Sequence, residues 1–287
     1  MRISDILRDG RVHFSCEVFP PKAFADMEQA AAVTREIAAL EPDFISVTYG
    51  AAGKTPAHTL ELARVVEQCG RTSLCHLTCL QSTRAQVEDV LTRMQAAGLE
   101  NVLALRGDPP KDGPAAGDFP YAAALIRLIK ARGNFCVGAA CYPEGHPESP
   151  TRDKDLDYLK AKVDAGADFL TTQMFFDNNV LYRFLYHALR RGIEVPVVAG
   201  VMPITRLLKR TVQLSGATLP PRFLSMADRF HDQPAAMAQA GVAFATEQIV
   251  DLVANGVQHI HVYTMNKPWI ARAIRDNLSE VFGHAAL

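Results

Sequence analysis

The sequence predicts an α/β fold, a single (β/α)8 TIM barrel spanning residues 1–287. Three observations predict it. Eight short runs rich in β-branched and aromatic residues alternate with stretches of helical periodicity, and strict alternation implies parallel β/α units. Eight such units are the number that closes a barrel, and no break in composition divides the chain into halves. No Gly-x-Gly-x-x-Gly follows any of the runs, so the runner-up, a doubly wound open sheet, lacks its dinucleotide fingerprint.

The first strand is His13–Phe19, where Phe14, Cys16 and Val18 alternate with His13, Ser15, Glu17 and Phe19, and Pro20-Pro21 ends it. A helix follows from Asp26 to Leu40, with Asp26 as N-cap. Asp43–Tyr49 is the second strand, followed by a Gly/Ala loop and a helix from Thr55 to Gln68. Leu74–Cys79 is the third, and its helix, Ser82 to Ala97, is closed by Gly98. The fourth strand begins at Asn101 and runs straight into Arg106, Gly107 and Asp108, after which Pro109-Pro110 stops further pairing. That puts a cation and a carboxylate at a strand's carboxyl end, where α/β proteins bind ligands. The next loop, Lys111–Pro120, is about ten residues, longer than most connections, which hints at function or mobility.

A helix over Tyr121–Arg132 leads to the fifth strand, Phe135–Tyr142, and the loop PEGHPESP. Then come a helix Asp153–Ala165, the sixth strand Asp168–Phe175, a helix Asn178–Arg191, the seventh strand Val195–Met202 and a helix near Ile204–Leu214. An irregular stretch containing Pro220-Pro221 precedes a helix over Pro234–Asn255, the eighth strand Gln258–Thr264 and a last helix from Pro268 to Val281.

Composition narrows the function. With 30 basic and 31 acidic residues the net charge is −1, which offers no basic excess for nucleic acid. No apolar run is long enough to span a membrane, and the N-terminus has no signal-peptide apolar core. Cys16, Cys69, Cys75, Cys79, Cys136 and Cys141 form no Cys-x-x-Cys and read as buried thiols of a cytoplasmic protein.

If the helix-facing side of each strand is apolar, the remainder points into the barrel. That set is Ser15 and Glu17, Ser46 and Thr48, His76 and Thr78, Arg106, Tyr142, Thr171 and Gln173, and His259, His261 and Tyr263, with only the seventh strand apolar. Barrel interiors are usually filled by branched apolar residues, so this polarity suggests a ligand-filled upper cavity, although buried Ser and Thr also bond simply to backbone. Glu17 is the exception: a carboxylate inside a strand must be paired or protonated, and desolvation would raise its pKa as a general acid requires. Other chemistries fit poorly. His259 and His261 lack a third metal ligand, there is no Gly-x-Ser-x-Gly elbow, and no predicted strand carries a Schiff-base lysine. Asp155, Tyr158 and Lys162 share one helical stripe that suits either an elongated ligand, with Lys162 for a phosphate, or plain solvent.

Seven blocks now stand in order: SCEVFPPK at 15–22, SVTYGA at 46–51, HLTC at 76–79, ALRGDPP at 104–110, YPEGHPES at 142–149, LKAKVDAGADFLTTQMFFD at 159–177 and HVYTMNK at 261–267. In them the chain resembles methylenetetrahydrofolate reductase in its short, single-domain bacterial form. The resemblance implies an oxidoreductase barrel that binds FAD, takes hydride from NADH or NADPH, and passes it to 5,10-methylenetetrahydrofolate. Glu17 falls on the family's catalytic glutamate, which protonates the folate so that its ring opens to a 5-iminium cation. Asp108 falls on the aspartate beside pterin and flavin, and Gln173 on the glutamine that contacts folate and nicotinamide in turn. Flavin positions match at Thr48, Tyr49, His76, Arg106, Gly107, Tyr142, His146, Asp155, Tyr158 and Lys162, with Tyr121 and Ala122 on the adenosine side.

The chain departs from the family at three places: Ala161 stands where arginine is frequent, Lys209 where a folate-contacting glutamine is usual (Gln213 lies one turn on), and Lys267 where an arginine contacts substrate. The resemblance implies no regulatory C-terminal domain. It leaves the nicotinamide donor and the physiological direction open, and it is compatible with a homo-oligomer. A barrel that binds folate or a partner without turnover is the alternative of a different class.

Overall fold

The computed structural model describes residues 1–49, 56–110, 117–203, 212 and 215–282. Eight strands close in chain order into one parallel barrel. They are β1 (His13–Val18), β2 (Phe44–Val47), β3 (Thr72–Thr78), β4 (Asn101–Leu105), β5 (Cys136–Cys141), β6 (Phe169–Thr172), β7 (Val197–Val201) and β8 (His259–Tyr263). The ring is shut by β1 and β8, where Ser15 faces His261 and Glu17 faces Tyr263. Around it lie α2 (Met27–Ala38), α3 (Pro56–Gln68), α4 (Arg84–Ala96), α5 (Ala122–Arg132), α6 (Arg152–Asp164), α7 (Asn178–Arg190), α8 (Pro221–Phe230), α9 (Pro234–Ala254) and α10 (Pro268–Asn277), preceded by the single turn α1 (Ile3–Ile6). None of these helices is long and apolar enough to cross a membrane.

Local chemistry sets the helix starts. Thr83 and Gln86 form a reciprocal capping box on α4, and Thr151 accepts from the backbone of Lys154 to start α6. Asp26 sits at the N-cap position of α2, but its side chain caps nothing, because residues Phe24–Asp26 form a 3-10 turn that leads into the helix. The stretch around Pro220-Pro221, expected to be irregular, contains α8. Pro221 stands in its first turn, where a missing N–H is harmless, and Phe223 and Ala227 turn inward one helical turn apart. They pack with Met174, Phe176, Met202 and Met237 in a satellite core over the β6–β7 end. The helix expected near Ile204–Leu214 falls almost wholly outside the described residues, as does Lys209.

The two ends of the barrel interior differ. At the amino end, Ile3, Ile6 and Leu7 plug the opening against Phe44, Leu74, Leu103, Cys136, Phe169 and Val198. Asn101 holds the plug in place: its side chain accepts from the Ile3 backbone at 2.9 Å and donates to the carbonyls of Met1 and Ser73. Phe169 fits because Gly138 opposes it; a Cβ there would lie 2.5 Å from the ring. Toward the carboxyl end the inward residues become Ser15, Glu17, Ser46, His76, Thr78, Thr171 and Tyr263, as the alternation predicted, and β7 contributes only Val198 and Gly200. On β4 the inward residues are Leu103 and Leu105, paired with His76 and Thr78, so Arg106 lies one residue past the strand rather than on its inner face.

Truncating the plug by Ile3→Ala is expected to cost about 2–4 kcal/mol, and Gly138→Ala about 1–3 kcal/mol through overpacking. Each loss should appear as a lower denaturant midpoint at unchanged m-value.

Candidate active site

Inside the upper barrel, polar groups are tied off one by one until a few remain. Ser15 donates to the Ile260 carbonyl at 3.0 Å and lies 2.8 Å from His261 Nδ1, and Ser46 lies 3.1 Å from His261 Nε2. Since the single Ser15 proton is used on Ile260, the Ser15 oxygen accepts from His261 Nδ1–H, and Ser46 donates to Nε2. His261 is thus a neutral, fully bonded core histidine, with burial pushing its pKa to about 3. Tyr263 donates its hydroxyl to the Thr172 carbonyl at 2.5 Å, over Gly200, where a Cβ would strike the phenol.

Glu17 stands among these groups with its side chain 17% exposed. Burial pushes its pKa up to about 8. The nearest imidazole, His76, has Nε2 3.8 Å from Glu17 Oε2 and is held neutral by burial, its pKa pushed down to about 3. The backbone of Glu17 is fixed from the far side of the barrel seam: Thr264 donates to its carbonyl at 2.6 Å, and Asn266 bridges both backbone groups of Phe19. Met265 and Asn266 adopt positive φ to make that turn, a strained arrangement of the kind that collects at functional sites. Thr264 and Asn266 lie in the HVYTMNK block but offered no sequence signal, because their role is a backbone bridge to a distant strand.

The rim carries the charges. Arg106 makes a bidentate pair with Glu148 at 2.6 and 2.8 Å. Glu148 was not singled out from the sequence, although its loop was; the pair joins positions 42 residues apart. The Glu148 N–H donates to His146 Nδ1 at 3.1 Å, which fixes the Nε2–H tautomer, and burial with the nearby Arg106 charge lowers the pKa of His146. His146 also packs edge-on against Tyr142, whose phenol burial raises to about 12. Asp108 is exposed beside them, and its backbone carbonyl accepts from Gln81. Gly107 has φ +82, and a Cβ there would press on Thr78.

The predicted helical stripe divides in two. Lys162 reaches inward and donates to the Ala140 carbonyl at 2.5 Å, its pKa lowered by burial, while Asp155 accepts from Ser149 at 2.8 Å. Tyr158 points outward, stacked on Tyr121 with ring centroids 6.5 Å apart and both rings exposed. Ala122 begins α5 beneath that stack. On β2, Thr48 is half-buried at the strand end and Tyr49 packs its ring against the outer core. Gln173 uses its amide oxygen on the Met174 N–H, and Lys267 is half-buried at the start of α10. Glu17, His76, Arg106, Tyr142, His146, Lys162 and Gln173 therefore share one end of one barrel.

Comparison with known proteins places this arrangement. The sequence profile described as methylenetetrahydrofolate reductase matches residues 2–279. A probable methylenetetrahydrofolate reductase (NADH) of Oryza sativa subsp. japonica is 34% identical over 297 residues, 96% of this chain and 50% of the rice protein, so the chain spans about half the length of that relative. The 5,10-methylenetetrahydrofolate reductase of Pectobacterium carotovorum subsp. carotovorum is 33% identical over 270 residues, 92% of this chain and 89% of its own. In fold alone, an uncharacterized protein from Clostridium thermocellum, solved with two copies of 5-methyl-5,6,7,8-tetrahydrofolic acid, matches with a TM-score of 0.68 at 12% identity, over 97% of this chain and 100% of that one. On the residues matched and the identities found, the chain belongs to the methylenetetrahydrofolate reductase family.

Proposed function

We propose that this protein reduces 5,10-methylenetetrahydrofolate to 5-methyltetrahydrofolate with NADH or NADPH as donor, through bound FAD, with Glu17 as general acid. Family membership supports the reaction class. The observation that carries the role of Glu17 is its burial with no facing cation among the described residues, which pushes its pKa up to about 8 and favours the protonated form.

The residues at the barrel mouth suit a flavin dinucleotide. Arg106 and Lys162 supply positive charge for a diphosphate, and the exposed Tyr121–Tyr158 pair above Ala122 supplies a flat apolar surface. Thr48, Tyr49, His76, Gly107, Tyr142, His146 and Asp155 complete the proposed contacts. The buried Nε2 of His76 has no hydrogen-bond partner among the described residues, so the ring is not tied down by the protein and can turn a nitrogen to a bound molecule. When bound, the flavin supplies the hydride that it has taken from the nicotinamide.

The chain's own residues do the rest. The Glu17 O–H bond breaks as an N–H bond forms on the substrate's ring amine. The C–N bond from that amine to the bridging methylene then breaks, and the cation left on the methylene carbon and the second nitrogen accepts hydride. Asp108, at the rim, faces that developing positive charge. The Gln173 amide contacts folate and nicotinamide in turn, and Lys267 contacts the substrate.

Anaerobic spectra test the reading. The purified protein is expected to show a flavin spectrum that bleaches with NADH or NADPH and recovers with methylenetetrahydrofolate; a protein that takes up no FAD would leave a binding barrel instead. Glu17→Gln is expected to slow the folate half-reaction by about 10²–10⁴-fold while flavin bleaching persists. Equal loss of both half-reactions would remove Glu17 from the acid role.

Stability checks the same carboxyl independently. Its folded pKa of about 8 lies above the ordinary carboxyl value of 4.5, so between those values the folded state binds more protons and stability falls as pH rises. Glu17→Gln should therefore gain in stability on the parent as pH rises above about 4.5, by about 3 kcal/mol near pH 7. Chemical denaturation of both proteins at several pH values measures the difference.

A further inference from the structure

The imidazole of His261, close enough to His76 for their charges to interact, is already engaged. His261 has both nitrogens bonded to Ser15 and Ser46, and His146 is fixed by the Glu148 backbone at the rim. His76 is different. Its side chain is 9% exposed, and its Nε2 is buried without a hydrogen-bond partner among the described residues and sits 3.8 Å from Glu17 Oε2. The strand beside it offers only Leu103 and Leu105 inward, so nothing on β4 competes for that nitrogen. Tyr263, the register partner of Glu17 on β8, already donates its hydroxyl hydrogen bond to the Thr172 carbonyl, and Ser46, the partner on β2, is bonded to His261.

We propose that His76 is a positioning residue for Glu17: in its Nδ1–H tautomer, Nε2 accepts the carboxyl hydrogen of Glu17 and holds that proton in place until the substrate amine takes it. The inference rests on the reading of Glu17 as general acid and adds the group that orients it. Two neutral partners meet here, since burial keeps the acid protonated and the imidazole uncharged. The titratable groups on β8 that face the pair stay neutral too: His261 through burial, and Tyr263 because burial raises its phenol. Between a neutral carboxylic acid and a neutral imidazole, the acid is the stronger donor and the ring nitrogen the stronger acceptor, which selects O–H to Nε2 and leaves the hydrogen on Nδ1. That Nδ1–H remains available to a bound flavin, so one ring serves both groups. The 3.8 Å separation must close by about 1 Å to make the bond, the tightening common when a substrate fills an open site.

Nitrogen-15 spectra of the histidine side chains in the flavin-loaded enzyme test the tautomer. The His76 ring should be neutral with Nδ1 protonated, and its Nε2 signal should move as Glu17 titrates near pH 8 and stand still in Glu17→Gln. A ring protonated at Nε2 would overturn the proposal. His76→Asn supplies the kinetic test, with rates taken per bound flavin. Whether the shorter amide fails to reach or presents its N–H, the acid form loses support, so the high-pH break of the folate half-reaction should move down by roughly one pH unit. An unmoved break with weakened flavin binding would make His76 a flavin contact alone. These failures are separable from failure of the acid reading: if Glu17→Gln keeps the folate half-reaction, the general-acid assignment falls first, whatever His76 does.

Discussion

A carboxyl group inside a parallel barrel is the constraint to which the rest of this structure answers. Glu17 lies on β1 with no cation facing it among the described residues, so burial favours its uncharged form and that of its neighbours. The fold meets that demand by closing hydrogen bonds around it. Two serines neutralise His261 by occupying both ring nitrogens, Tyr263 is committed to a carbonyl on β6, and the turn after β8 fixes the Glu17 backbone through Thr264 and Asn266. The charged side chains, Arg106, Glu148 and Asp108, are kept at the rim, where water screens them.

The polar upper barrel has a counterpart below. A cavity that must admit ligand at one end contributes little packing there, so the opposite end has to be dense. Ile3, Ile6 and Leu7 supply that density from outside the β/α repeat, and Gly138 clears the space that Phe169 fills. Higher up, Gly200 does the same for Tyr263. These two inward-facing glycines each clear space for a ring: one tightens the floor, and the other sets the position of a phenol beside Glu17.

Much of this was legible in the sequence because it repeats. Alternation placed eight strands and most of their inward residues, and the anomaly of a glutamate in such a strand marked a buried carboxyl without any alignment. What escaped depended on contacts distant in sequence or on reading a residue one way when it works another. Pro220-Pro221 reads as a breaker, yet proline in a first helical turn starts α8, whose apolar face becomes evident only once the β6–β7 satellite core is seen. Arg106 continues the polar side of its segment by eye, but β4 ends one residue earlier and places Leu105 inward. Glu148 looked like part of a polar loop until its partner, far away in the chain, was beside it.

That Arg106–Glu148 pair bears on how the mouth of the barrel receives an anion. Arg106 is one of the two cations assigned to the diphosphate, yet in the protein alone both of its terminal nitrogens are bonded to a carboxylate. The two side chains are 23% and 55% exposed, and ion pairs so open to water contribute about 0–1 kcal/mol. A diphosphate bound as proposed would carry more charge than the carboxylate and meet Lys162 at the same time, so it would displace Glu148 at little cost. The pair then has a simple physical use. It keeps a long, flexible guanidinium ordered at the rim before ligand arrives, and ordering it in advance removes part of the entropy that binding would otherwise lose. Glu148 also holds His146 in one tautomer through its own N–H, so the segment that orders Arg106 sets the ring beside it as well.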